Sequence, residues 1–288
     1  MSWPLPAVVL DLVMPELPEV ETLVRQLRPL LLGKVLRRAQ ARDISAFSHS
    51  PIRPSQKNLE LLRGLRVLSV GRRGKMAVIG LGAPPGGAPL SVAVHLRMTG
   101  QLLWGPPHPA SRALFEFQHC EKALSYVDVR RLGKIYLGET ARMGGVLPRG
   151  EEPLELDREA FCGRLRERGG RIKPLLMNQN FLAGVGNIYA IEALFDAGIR
   201  PTRHASRLSM REAGRLLDSL QRALRSGIQN GGATLRNYVD AFGRPGRAQR
   251  RHRIYGKRAG TPCPRCSKPL RFIFVSQRGT VFCPGCQT

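Results

Sequence analysis

Four cysteines near the C-terminal end constrain the fold more than any other feature of the sequence. They form two Cys-x-x-Cys pairs, Cys263 with Cys266 and Cys283 with Cys286. The run between the pairs predicts a strand at 270–275, a turn at 276–280 and a second strand. Two pairs of thiolates on such turns suit a tetrahedral structural zinc ion with no open coordination position. We therefore predict a zinc-bound β-hairpin at 261–288 with one structural Zn²⁺ per chain, in preference to two disulfides or a redox pair.

The charge of the chain indicates its partner. The sequence holds 46 Lys and Arg against 21 Asp and Glu, a net charge of +25, and most of the basic residues are arginines, which suit bidentate contacts to phosphate. An arginine-rich genome would explain part of this excess but not its crowding between Arg200 and Arg258. We predict a polyanionic partner, and nucleic acid rather than a membrane, because the sequence has no long apolar run.

Two observations bear on the compartment. Residues 1–13 are apolar but lack a basic start, contain two prolines and are interrupted by Asp11, so they do not resemble a signal peptide. Cys120 and Cys162 are isolated, which fits a reducing cytosol. We predict a cytoplasmic, nucleoid-associated protein of bacterial type.

The first half of the chain begins with a helical pattern and continues with strands. Apolar residues recur at helical spacing over 20–30, and Gly33 ends the pattern. Short strand patterns then fill 34–137, among which 91–97 alternates cleanly between apolar and polar side chains. These patterns predict a β-sandwich with a leading helix.

The second half is predominantly helical. Ser209 and Glu212 form a capping box that predicts a helix start. Residues 233–260 combine arginine, glycine and aromatic residues, a composition typical of a disordered basic linker. The predicted fold is α+β with two domains, and its ranges are an extension at 1–14, a β-sandwich at 15–138, a hinge at 139–153, a helical domain at 154–260 and the zinc hairpin at 261–288.

Pro15 and Glu16 are the candidate chemical centre. If translation started at Met14 and that residue were removed, Pro15 would carry a free secondary amine beside a carboxylate. An α-amino group titrates near ~8, well below a lysine, so such an amine is a far better nucleophile near neutral pH and can attack a sugar C1′ to form an iminium. Any preceding residue converts this nitrogen to an amide without a nucleophilic lone pair. We therefore predict that residues 1–14 are absent from the active chain.

The run Pro15-Glu16-Leu17-Pro18-Glu19-Val20-Glu21-Thr22 resembles the N-terminus of the formamidopyrimidine-DNA glycosylases, which remove oxidised purines and nick the strand. The resemblance continues down almost the whole chain: 173–179 followed by 184–190 looks like the family's helix-two-turn-helix, and 233–260 is similar to its lid over the extruded base. The resemblance implies that 15–138 is the catalytic domain, that 154–260 is the DNA-binding domain with its lid, and that the lid is mobile until DNA binds. It implies that the Pro15 amine displaces the damaged base, that Glu16 protonates the sugar ring oxygen, and that β- and δ-elimination cut both phosphates.

The same resemblance implies roles for further residues. Lys75 is predicted to donate a proton or hold a phosphate, and Arg278 at the hairpin turn is predicted to contact phosphate and to help the second strand cleavage. The predicted DNA-binding residues are His95, Met98, Arg130, Arg131, Leu132, Arg168 and Asn187. Glu19 and Glu192 are predicted to support them. Leu132 stands where the family usually has phenylalanine, and Val129 where it usually has proline, which bears on the preference for the opposite base.

The resemblance thus implies a base-excision repair glycosylase with associated lyase activity, acting as a monomer on damaged double-stranded DNA. Two alternatives stay open. One is the sister family that acts on oxidised pyrimidines. The other is a non-catalytic zinc-containing DNA-binding protein, should Pro15 not be the mature N-terminus.

Overall fold

The structure is a computed structural model that describes residues 14–49 and 51–288. The predicted extension at 1–14 therefore lies outside the described residues except for Met14. In the described part, no helix combines the length and the apolar composition that crossing a bilayer requires. The predicted α+β fold, with sheets in the first half and helices in the second, is confirmed.

Helix α1 (Leu17–Leu31) opens the described chain and has Glu16 as its N-cap. Glu16 and Glu19 form a capping box, and Pro18 occupies a first-turn position that tolerates a missing N–H. The helix buries Val20, Leu23, Val24 and Leu27 as the spacing predicts. The chain leaves it through Gly33, whose φ of +79° favours glycine.

Two four-stranded antiparallel sheets follow α1. One has the order β1, β6, β7, β5 and the other the order β2, β3, β4, β8. The strands are β1 (Leu36–Ala41), β2 (Val67–Arg73), β3 (Met76–Leu81), β4 (Leu90–His95), β5 (Gly100–Gly105), β6 (Ser111–Phe117), β7 (Ala123–Asp128) and β8 (Lys134–Glu139). A single apolar core holds side chains from both sheets and from α1, so the helix is fixed against the sandwich.

Helices build most of the second half. They are α3 (Arg158–Arg166), α4 (Ile172–Met177), α5 (Asn187–Ala197) and α6 (Met210–Gln229), while the short α2 (Gln56–Glu60) lies in the first half. The capping box at the start of α6 is confirmed, with the Ser209 N–H donating to Glu212 Oε2 at 2.8 Å. Short 3-10 helices span Ile44–Ala46, Thr140–Gly145, Ala205–Arg207 and Ala248–Arg251.

Helix α5 lies between the helical core and the C-terminal hairpin. Ile188 and Leu194 pack into the helical core. Ile191 and Phe195 instead pack against the hairpin, which consists of β9 (Arg271–Val275) and β10 (Arg278–Phe282). The hairpin turn is shorter than predicted: it consists of Ser276 and Gln277, both at positive φ, so that Arg278 is the first residue of β10.

The predicted hinge and lid are both packed segments in the structure. The buried Glu152, at the end of the 139–153 segment, makes ion pairs with Arg72 and Arg73 of the sandwich. Within 233–260, the buried Tyr238 donates its hydroxyl to the Glu19 carbonyl at 3.1 Å. Movement of either segment stays a prediction.

Candidate active site

Pro15 is buried where α1 meets the turn before α5. The Leu17 N–H donates to the Gly184 carbonyl at 3.0 Å, which fixes the start of α1 against the helical half. Pro15 lines a narrow cleft together with Met98, Ile188 and Tyr238. In the sequence as given, Met14 precedes Pro15, so the Pro15 nitrogen belongs to a peptide bond and is an amide.

The Glu16 carboxyl points at the N-terminal end of α5. Its Oε1 accepts the Ile188 N–H at 3.0 Å, and its Oε2 is buried without a hydrogen-bond partner among the described residues. Burial raises the pKa of Glu16 to about 7, against the opposing effect of the Lys75 charge, while the Glu19 charge raises it further. A carboxyl of this kind is protonated in a large fraction of molecules at neutral pH and can act as a general acid.

Glu19 connects the start of α1 to two other parts of the chain. Its Oε2 accepts the Glu16 N–H at 2.9 Å, and its Oε1 accepts the Tyr189 hydroxyl at 2.9 Å and the Ala233 N–H at 2.7 Å. Burial raises its pKa, and these donors lower it in part. Glu19 therefore holds the Pro15–Glu16 segment, α5 and the first residue of the predicted lid in one arrangement.

Lys75 lies in the tight turn between β2 and β3 and is buried. Burial lowers the pKa of its amine, and the nearby Arg278 and Arg97 charges lower it further, while Glu16 and Glu19 raise it. His95 is half-buried, and burial, Arg97 and Lys75 together lower its pKa to about 4. Lys75 and His95 line a cavity of about 370 Å³.

The loops that carry Met98 and Leu132 are joined at their bases. Thr99 donates its hydroxyl to Asp128 Oδ1, and Asp128 Oδ2 accepts the Gly133 N–H at 2.7 Å. Between these anchors, Leu132 is 37% exposed. The residues Val129, Arg130 and Arg131 are exposed on the same loop.

Asn187 and Lys173 hold the hairpin against the helical domain, and Glu192 holds the segment that precedes the hairpin. Asn187 Nδ2 donates to the Gly279 carbonyl at 3.2 Å, and the buried Lys173 amine donates to Thr280 Oγ1 at 2.7 Å. Glu192 accepts the backbone N–H groups of the three residues 253–255. These contacts bring Arg278 close enough for its charge to act on Lys75.

Arg168 is exposed just beyond the end of α3. Its backbone N–H closes a turn by donating to the Leu165 carbonyl at 3.2 Å. Among the described residues, Arg168 takes no part in the contacts that join the other predicted site residues. Its contact with DNA stays a prediction.

The four cysteines of the hairpin form one cluster. Their Sγ atoms all lie within 4.8 Å of one another, with Cys263 Sγ 3.8 Å from Cys286 Sγ and Cys266 Sγ 3.5 Å from Cys283 Sγ. Four thiolates about 2.3 Å from a tetrahedral zinc would stand about 3.8 Å apart, whereas a disulfide needs about 2.05 Å. The cluster can therefore hold a metal ion, and its donor set fits zinc.

Sequence patterns do not reveal three residues of the site: Gly186, Tyr189 and Glu152. Gly186 has the pattern of an ordinary turn glycine, yet a Cβ there would meet Glu16 Cδ at 2.3 Å. Tyr189 lies in a pattern typical of a helix, and Glu152 lies in a pattern typical of a loop. Only the tertiary fold brings them to Glu19 and to the turn that carries Lys75.

Comparison with known proteins gives matches over most of the chain. The formamidopyrimidine-DNA glycosylase N-terminal domain matches residues 14–135, and the formamidopyrimidine-DNA glycosylase H2TH domain matches residues 150–239. The chain is 41% identical over 280 residues to a formamidopyrimidine-DNA glycosylase of Solibacter usitatus, with 95% of this chain and 99% of that protein covered.

Solved structures agree with the sequence matches. The chain is similar to the crystal structure of the MutM (Fpg) protein from Thermus thermophilus, with a TM-score of 0.80, 39% identity and coverage of 95% of this chain and 98% of that one. It is also similar to a Lactococcus lactis Fpg mutant in complex with a Fapy-dG containing DNA, with a TM-score of 0.82, 30% identity and coverage of 95% and 99%.

Proposed function

Because the chain belongs to the formamidopyrimidine-DNA glycosylase family, we propose that it excises oxidised purines, such as 8-oxoguanine and formamidopyrimidines, from double-stranded DNA and then cuts the resulting abasic site. The observation that carries this proposal is the buried Glu16 carboxyl directly after Pro15, with one unpartnered oxygen and a pKa of about 7. A proton donor of this kind beside an amine nucleophile is what cleavage of a glycosidic bond through an iminium requires.

The first step is displacement of the base. In a chain that starts at Pro15, the amine lone pair forms a bond to C1′ while the bond from C1′ to the base breaks. The base leaves with the electron pair of that bond and takes up the proton that the amine nitrogen loses. Glu16 gives its proton to the ring oxygen as the ring opens and the C1′–N bond becomes an iminium. The neighbouring Ile188 N–H, 3.0 Å from Oε1, stabilises the carboxylate that remains.

Strand cleavage follows from the iminium. Loss of a proton from C2′ expels the 3′ phosphate by β-elimination, and δ-elimination then expels the 5′ phosphate. We assign Lys75 to proton transfer or to phosphate binding here. The lowered pKa of its buried amine favours proton transfer. Arg278 and Asn187 are proposed to hold the flanking phosphates, since the hairpin and the start of α5 meet there.

Extrusion of the damaged base leaves a gap in the duplex, and we assign its filling to the Met98 and Leu132 loops. The Met98 side chain is unbranched and the Leu132 side chain is γ-branched, and both are apolar. The two loops share an anchor, the Thr99–Asp128 hydrogen bond. Arg130 would face the orphaned partner base and Arg131 the backbone. His95 would lie on the phosphate side, next to Lys75.

Zinc would be held by the four cysteines, one ion per chain, and would supply folding energy to the hairpin rather than chemistry. The protein is proposed to act as a monomer in the cytoplasm, bound to the nucleoid through its basic surface. Its net charge of +25 supports association with DNA.

The test of this function is a comparison of substrates in matched duplexes. A chain starting at Pro15 should release 8-oxoguanine opposite cytosine faster than thymine glycol. Faster release of thymine glycol would assign the chain to the oxidised-pyrimidine branch. That second candidate is kept because Leu132 replaces an aromatic side chain, and because a solved structure of the similar Lactococcus lactis protein contains an oxidised pyrimidine in its DNA.

A further inference from the structure

The turn that presents Lys75 is geometrically restricted. It consists of Gly74 and Lys75, and Gly74 has a φ of +56°, a conformation that favours glycine. A Cβ on Gly74 would stand 2.6 Å from Pro148 Cγ. The turn is therefore pressed against the segment around 148–152.

Glu152 contacts both this turn and the strand β2 that precedes it. Its Oε1 accepts the Gly74 N–H at 2.8 Å. Its Oε2 lies 2.7 Å from Arg72 Nη1, an ion pair without hydrogen-bond geometry. Arg73 Nη1 lies 3.4 Å from the same Oε1. The side chains of Glu152 and Arg72 are 9% and 7% exposed, so solvent screens this cluster little.

The segment that carries Glu152 is fixed on its other side to the turns before α5. The Gly150 N–H donates to the Gln179 carbonyl at 2.9 Å, the Glu151 N–H donates to the Phe181 carbonyl at 3.1 Å, and the Ala183 N–H donates to the Glu151 carbonyl at 2.8 Å. The next residue, Gly184, accepts the Leu17 N–H. A continuous set of hydrogen bonds thus runs from the turn that carries Lys75 to the start of α1.

We propose that Glu152 is a positioning residue. It holds the Gly74–Lys75 turn, and with it the Lys75 amine, in a fixed position relative to Glu16. This inference rests on the proposed function, in which Lys75 serves the reaction. Glu152 makes no contact with the lesion in this scheme and acts only through the turn. The segment predicted as a hinge is then a rigid connection at its C-terminal end.

Loss of Glu152 should affect Arg72 and the turn unequally. Arg72 retains a second partner, because its Nε lies 3.0 Å from Glu21 Oε2. The Gly74 N–H donates its hydrogen bond to Glu152. Replacing Glu152 should therefore release the turn more than it disturbs Arg72.

The direct readout is the pKa of Lys75 in the full chain loaded with zinc. NMR titration of chains carrying ¹³C at lysine Cε, with the Lys75 signal assigned from Lys75→Arg, should show the lowered pKa in the wild type. In Glu152→Ala the value should rise toward about 10.4 as the amine gains water. The matched control is Glu151→Gln, because Glu151 lies in the same segment but points its carboxylate outward to Arg164. An unchanged Lys75 pKa in folded Glu152→Ala would overturn the proposal.

A double-mutant cycle on chains starting at Pro15 tests the functional part. Glu152→Ala should lower kcat by on the order of 10²-fold, as a small misplacement of a reacting group does. In a Lys75→Ala background it should cause no further loss. An equal loss in both backgrounds would show that Glu152 does not act through Lys75 and would overturn the proposal.

Two controls keep this test decisive. If Glu152→Ala does not fold, Glu152→Gln replaces it, since the amide oxygen can still accept the Gly74 N–H while the negative charge that pairs with Arg72 is lost. This variant should give a smaller loss of kcat with the same dependence on Lys75. A wild-type chain starting at Pro15 that has no excision activity would refute the proposed function. An active wild type in which the effects of Glu152→Ala and Lys75→Ala on kcat simply add would refute only the role of Glu152.

Discussion

Gly186 packs directly against the carboxyl group of Glu16, so that a Cβ at position 186 would lie 2.3 Å from Glu16 Cδ. The two residues belong to different halves of the chain. Their contact lets the Ile188 N–H reach Glu16 Oε1 at 3.0 Å. The proposed proton donor is therefore held by the N-terminal end of α5 as well as by α1.

The first prediction concerns this contact. Gly186→Ala should displace the Glu16 carboxyl, lower base excision by at least about tenfold and cost about 1–3 kcal/mol in the free energy of unfolding, as overpacking does. The cause is steric, because Gly186 has an extended backbone that any residue adopts. Gly163→Ala is the control: Gly163 lies in α3 with no atom within 4 Å of an added Cβ, and alanine there should be neutral or stabilising by up to about 1 kcal/mol. Equal activity of the two variants would contradict the account.

The second prediction is a pH dependence of stability. The folded pKa of Glu16, about 7, is raised above its usual 4.5, so burial of the ionised carboxylate costs stability once the pH rises above the unfolded pKa. The penalty is absent below pH 4.5, grows between 4.5 and 7 and reaches about 3 kcal/mol above 7. Glu16→Gln should therefore gain stability relative to the full-length wild type as the pH rises from about 5 to about 8, in chemical denaturation at each pH. A difference that does not change with pH would show that Glu16 is not buried as described.

The third prediction concerns the cysteine cluster. Cys266→Ser should reduce bound zinc from one ion per chain, destabilise the hairpin and weaken binding to damaged and undamaged duplexes alike, since a structural zinc supplies folding energy. Cys120→Ser should leave the zinc content unchanged, because Cys120 lies outside the cluster. Metal analysis of freshly purified protein measures both. Active wild-type protein without zinc would exclude the assignment.

The fourth prediction separates phosphate contact from folding of the hairpin. Arg278→Ala should lower the salt dependence of DNA binding by about one unit of slope and retain zinc. The control is Arg271→Ala at the other end of β9 and β10, where the side chain is exposed and was not predicted to contact DNA. An unchanged slope for Arg278→Ala would remove Arg278 from the phosphate contacts.

The elements of the fold that depend on local patterns could be predicted from the sequence. The spacing of apolar residues in α1, the capping box at Ser209 and the strand pattern around Val92 and Val94 each have a local cause, and the structure confirms them. The two Cys-x-x-Cys pairs likewise indicated one cluster, because each pair is a local turn.

The contacts that tune the site could not be predicted, because they join residues far apart in sequence. The raised pKa of Glu16 depends on burial against Gly186. The turn that carries Lys75 is hydrogen-bonded to Glu152, which lies 77 positions further along the chain than Lys75. Glycine at 186 and glutamate at 152 both have ordinary roles in a turn and a loop. Their roles became visible only when the pairing of the two halves was known.

The central claim is that the Pro15 amine is the nucleophile, and borohydride trapping tests it most directly. A chain that starts at Pro15 should become covalently bound to DNA containing 8-oxoguanine when the iminium is reduced. The full 288-residue chain, shown by mass spectrometry to be unprocessed, should bind the same DNA without being trapped, because its Pro15 nitrogen is an amide. Comparable trapping of both forms would contradict the account and would point to a lysine such as Lys75 as the nucleophile.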